Sequence, residues 1–76
     1  MPEHTDLRRD KIGLLMRRAR ETAGRTRKDC ATFLHISQAA LAACEEGRRD
    51  PSLPEMEALA HYLRIPVHAL LDESVS

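Results

Sequence analysis

The sequence predicts an all-α fold of five helices around one small aliphatic core. Apolar residues recur at spacings of three and four along most of the chain, the period that puts them on one helical face. Hydroxyl residues, prolines and glycines bound these runs at the places where helices start and stop. The third observation is compositional: 76 residues with 42% hydrophobic content, one Phe, one Tyr and no Trp leave room for a single core of aliphatic side chains.

The first helix is expected from Leu7 to Ala23, with Ile12, Leu15, Met16, Ala19 and Ala23 on its buried stripe and Gly24 ending it. The second runs from about Arg27 to Leu34 and the third from about Gln38 to Glu46, with Gly47 marking its stop. A linker, GRRDPS, carries the Asp50-Pro51 turn signal. The fourth helix spans Leu53 to Leu63 through Met56, Leu59, Ala60 and Leu63. Pro66 opens a short fifth helix, PVHALLDE, because a first turn does not need the N–H that proline lacks. Residues 1–6 are expected to be a flexible N-terminus, 7–73 one folded domain and 74–76 a C-terminal tail.

Thr26 to Glu46 carries the most specific pattern. Cys30, Ala31, Leu34, Ile36, Leu41 and Cys44 fall where two short helices meeting at a steep angle would bury them. Thr26 and Ser37 precede the two runs as N-caps, and Asp29 follows Thr26 at the spacing of a shortened capping box. His35 stands at the abrupt end of the second helix and is expected at positive φ, so that Ile36 can enter the core and Ser37 can start the third helix. This is the layout of a helix-turn-helix.

Charge is balanced overall and polarised along the chain. Residues 1–30 hold nine arginines and lysines against five carboxylates, and residues 31–76 hold three against seven. Such polarity can present a basic face to phosphates. Cys30 and Cys44 have no CxxC partner, and the four histidines form no ligand set, so neither a metal nor a cofactor is expected. No nucleophile is paired with a base at a catalytic spacing, and an enzyme is not expected. The chain has no membrane-length apolar run and MPEHTDLRRD lacks a signal-peptide core, so a cytoplasmic protein is expected.

From Ile12 to Leu71 the landmarks Ile12-Gly13, Thr26-Arg27, Ile36-Ser37, Glu45-Glu46-Gly47, Asp50-Pro51-Ser52 and Ile65-Pro66-Val67 resemble, in order and spacing, the Xre or lambda-repressor-like helix-turn-helix domain. The resemblance implies a bacterial or phage-like transcriptional regulator that binds double-stranded DNA, with the third helix as recognition helix. It implies phosphate contacts from Arg25, Arg27 and Lys28 at the start of the second helix and from Arg48 and Arg49 after the third. Ser37 would cap the recognition helix and reach a phosphate, and Gln38, Ala39, Ala40, Ala42 and Ala43 would form its reading face. Of these, Gln38 can pair bidentately with adenine, while the alanines offer apolar contact to thymine methyls. The family pattern also implies a partly buried salt bridge between Arg20 and Glu45. The turn after the second helix usually holds glycine in the family, and this chain has His35.

A homodimer on operator half-sites is expected, because Leu7 and Leu14 form a stripe apart from the core and Val67, Leu70 and Leu71 crowd the last helix. The alternative is a protein-interaction module that kept the fold and lost DNA readout, as in a cell-shape membrane-anchor domain or an antitoxin. The smooth alanine face favours that alternative, and arginines on both sides of the face favour the regulator.

Overall fold

A computed structural model describes residues 3–71, with side chains from Arg9 onward. Among them are four α-helices, α1 (Glu3–Thr22), α2 (Arg27–Leu34), α3 (Gln38–Glu45) and α4 (Leu53–Leu63), then one turn of 3-10 helix at Val67–Leu70. The described residues contain no strand. The first helix begins a turn earlier than the Leu7 expected from its apolar stripe, and stops at Thr22. The fifth element is shorter than predicted. Pro66 sits before it with extended backbone (φ −69°, ψ 147°), and the turn closes through Ala69 N–H to the Pro66 carbonyl at 3.0 Å. Leu70 drops fully into the core from that single turn. The tail at 74–76, and Asp72 and Glu73 of the predicted fifth helix, lie outside the described residues.

Every helix start expected from a hydroxyl residue is made. The Thr26 hydroxyl accepts from Asp29 N–H at 3.0 Å, and the Ser37 hydroxyl accepts from Ala40 N–H at 3.0 Å. Ser52 goes further, with a full capping box. Its hydroxyl accepts from Glu55 N–H at 3.2 Å while a Glu55 carboxylate oxygen accepts from Ser52 N–H at 2.9 Å.

All four α-helices end in the same way. A left-handed residue follows each, at Gly24 (φ 71°), His35 (φ 59°), Gly47 (φ 80°) and Arg64 (φ 61°). In each case that residue and its successor donate back to carbonyls of the last turn, as Ile36 N–H does to Ala31 at 3.1 Å and Ile65 N–H to Ala60 at 3.0 Å. This is the Schellman closure, which satisfies the orphan carbonyls of a helix end. Gly24, Gly47 and His35 were legible as stops. Arg64 was not, since arginine carries no signal for positive φ.

The core takes Ile12 and Met16 from α1, Cys30, Ala31 and Leu34 from α2, Leu41 and Cys44 from α3, Met56, Leu59, Ala60 and Leu63 from α4, and Leu70 from the last turn. Helix α3 packs on both α1 and α2, and α4 packs on α2 and the 3-10 turn. The contact of α1 with α3 is set by Gly13. A Cβ there would lie 2.7 Å from the Glu45 carbonyl oxygen and closer still to that of Cys44, so only glycine lets the two helices approach this far.

Candidate nucleic-acid interface

Helix α3 divides cleanly. Leu41, Cys44 and Glu45 face inward, and the strip formed by Ala39, Ala42, Ala43 and Glu46 lies opposite them at helical spacing. Gln38 and Ala39 are exposed, whereas Ala40, Ala42 and Ala43 are half-buried. The exposed face is therefore narrower than the sequence suggested, because a helix of eight residues packed on two neighbours leaves only a strip free, and an alanine methyl barely rises above it. Ser37, also exposed, caps the helix at its opening edge.

Beneath this strip is a buried carboxylate. The Glu45 side chain is 1% exposed and receives two guanidinium groups. Arg20 of α1 donates from Nε at 2.7 Å and from Nη2 at 3.2 Å, and Arg27 of α2 donates from Nη2 at 3.0 Å and from Nε at 3.3 Å. Arg20 also donates to the Arg25 carbonyl at 3.0 Å. The hydrogen bond that Arg20 donates to Glu45 holds the Arg20 pKa above its ordinary value, against the opposing pull of burial. One side chain thus joins α1, the start of α2 and the end of α3.

The basic residues expected to rim the recognition helix are mostly engaged within the chain. Arg27 is held by Glu45, as above. Arg48 donates to Glu46 from Nη2 at 2.6 Å and from Nε at 3.1 Å. Arg49 grips Glu55 with two parallel bonds of 3.0 Å and donates to the Cys44 sulfur at 2.9 Å. That grip ties the loop after α3 to the capping box of α4 and raises the Arg49 pKa. The Arg25 guanidinium lies 5.0 Å from the centre of the Tyr62 ring, which itself stacks on Phe33 at 4.4 Å between centroids. Lys28 is exposed at the start of α2.

Sequence reasoning missed the Glu46–Arg48 pair, the Arg49–Glu55–Cys44 cluster and the Phe33–Tyr62–Arg25 stack. Only the Ser52 and Glu55 spacing offered a signal, for a capping box. The others join side chains across turns and between helices. Burial, against the smaller effect of Arg49, holds the Cys44 thiol pKa above its ordinary value. Among the described residues no group of three or more His, Cys, Asp and Glu side chains is placed to hold a metal ion.

Two short capped helices, a left-handed turn between them and a bare strip on the second define a helix-turn-helix protein. A helix-turn-helix domain family model matches residues 11–73, and the chain belongs to that family, in its Xre-like branch, a class of DNA-binding regulators. Among solved structures it is similar to the restriction-modification controller protein C.AhdI from Aeromonas hydrophila, with 26% identity and a TM-score of 0.75 over 82% of this chain and 94% of that one. No curated protein matches the chain.

Proposed function

We propose that this chain is a transcriptional regulator that places α3 in the DNA major groove and binds operator half-sites as a homodimer. The observation that carries this reading is the strip on α3. It begins at exposed Gln38, continues in alanines that leave no bulk to hold a groove away, and is preceded along the chain by Arg25, Arg27 and Lys28 and followed by Arg48 and Arg49. Ser37, Gln38, Ala39, Ala40, Ala42 and Ala43 would meet the duplex directly, and the flanking cations would meet phosphates. The similarity to a restriction-modification controller supports a regulatory role, and such a role is non-enzymatic.

For the dimer, Leu14 of α1 is exposed at 43% and lies outside the core. Leu70 closes the core instead and is not available to a mate, while Val67 and Leu71 are half-buried against it. Leu7, the other member of the proposed stripe, has its side chain outside the described residues. No described helix is long and apolar enough to cross a membrane.

A salt titration against random duplex DNA tests the reading. Binding that weakens steeply with salt, as phosphate contacts release counterions, is the expected result. The ion pairing of Arg27, Arg48 and Arg49 favours a second reading, in which the alanine strip docks a protein. Absence of duplex binding even at low salt would overturn the first reading and leave the alanine strip as the candidate protein-docking surface.

A further inference from the structure

Glu46 is an acidic side chain on the strip that the proposed function turns toward DNA. As the C-cap residue of α3 it stands about one helical turn beyond Ala42 and Ala43, exposed where its neighbour Glu45 is buried. Both close bonds from Arg48 end on one of its oxygens, at 2.6 and 3.1 Å. The pair is open to solvent, with Arg48 64% and Glu46 51% exposed, so it can exchange partners without unfolding anything. The Arg48 hydrogen bond keeps the Glu46 carboxyl below its ordinary pKa, with smaller contributions from the charges of Arg27 and Arg17. Glu46 is therefore ionised at neutral pH and stands among cations that a polyanion would seek.

We infer that Glu46 sets the affinity of the interface by competing with DNA phosphate for Arg48. The inference rests on the DNA-binding reading above. A phosphate oxygen and a carboxylate oxygen make the same charge-assisted bonds to a guanidinium. Arg48 must leave Glu46 to take a phosphate, and the abandoned carboxylate then faces the duplex. Both effects lower affinity for every sequence alike, and the number of phosphates neutralised is smaller than the number of arginines around α3.

The test is a double-mutant cycle on the whole chain: wild type, Glu46→Gln, Arg48→Ala and the double variant, each titrated against a labelled random-sequence duplex over a range of salt. Glu46→Gln should bind about two- to fivefold more tightly, the factor that an exposed ion pair supplies. Its slope of log K against log salt should steepen by about 0.9, one added phosphate contact. In the Arg48→Ala background the same substitution should gain distinctly less, since only the repulsion between the carboxylate and the duplex is then left to relieve. Equal binding by wild type and Glu46→Gln overturns the competition. So does a gain that persists undiminished without Arg48, because Glu46 would then act by plain repulsion. If no variant binds duplex at low salt, the DNA-binding reading itself falls, and this inference falls with it. Matching melting curves for the four proteins separate these outcomes from loss of fold.

Discussion

Arg20 and Glu45, 25 residues apart in sequence, meet through bonds of 2.7 and 3.2 Å, with side chains only 11% and 1% exposed. The first helix is thereby fixed to the end of α3 from inside the domain. Removing one partner leaves the other charged and buried, which costs about 3–5 kcal/mol. Glu45→Ala is expected to lower the melting temperature strongly, whereas Glu46→Ala, on an exposed pair, should leave it nearly unchanged. Equal melting temperatures would refute the assignment.

Two helix ends use a left-handed residue that has a side chain. His35 at φ 59° and Arg64 at φ 61° both carry the steric penalty that glycine avoids. His35→Gly and Arg64→Gly should each be neutral or stabilising by up to about 1 kcal/mol, since lower strain is partly offset by a freer unfolded chain. Denaturant melts check this, and a clear loss at His35 would reveal a contact beyond its turn.

Gly13 is the opposite case. Its difficulty is space, because an added Cβ would meet the backbone of Cys44 and Glu45, and backbone gives way less readily than a side-chain tip. Gly13→Ala should destabilise the domain by about 1–3 kcal/mol, as overpacking does, although alanine is the better helix former. A gain in melting temperature would show that α1 can slide away from α3.

Stability should fall at both ends of the pH scale for identifiable reasons. The Arg49 hydrogen bond holds the Glu55 carboxyl below its ordinary 4.5, so the unfolded chain takes up its proton first. The stabilisation from Glu55 is complete above about pH 5 and is lost as pH falls through the folded value. Burial holds the thiols of Cys30 and Cys44 above the ordinary 9.0. There the unfolded chain loses protons first, and stability declines as pH rises beyond about 9. Melting temperature against pH should show both limbs, the acid one flattened by Glu55→Gln and the alkaline one by Cys30→Ala.

Gln38 is the one exposed amide on the strip, and its carboxamide can make the bidentate pair with adenine. Once a binding site has been selected from random duplexes, Gln38→Ala should lower discrimination at one adenine position by about 1–3 kcal/mol. Binding to random DNA should stay nearly the same. A uniform loss across all sequences would instead make Gln38 a backbone contact.

The sequence by itself determined the helix limits around the turn, the caps at Thr26 and Ser37, the stops at Gly24, His35 and Gly47, and most of the aliphatic core, although Leu15 is only half-buried and Ala23 is exposed. Each of these follows from local chemistry: a hydroxyl that caps, a residue that tolerates positive φ, an apolar period. The Arg20–Glu45 tie came from the family pattern alone, since nothing local links residues so far apart. Tertiary structure alone decided which arginines are engaged. Arg27, Arg48 and Arg49 read alike in the sequence as a basic rim, yet one is held by a buried carboxylate, one by an exposed glutamate and one by a capping box joined to a thiol. Which anion reaches a guanidinium depends on how helices are placed in space, and a one-dimensional charge pattern does not contain that distance.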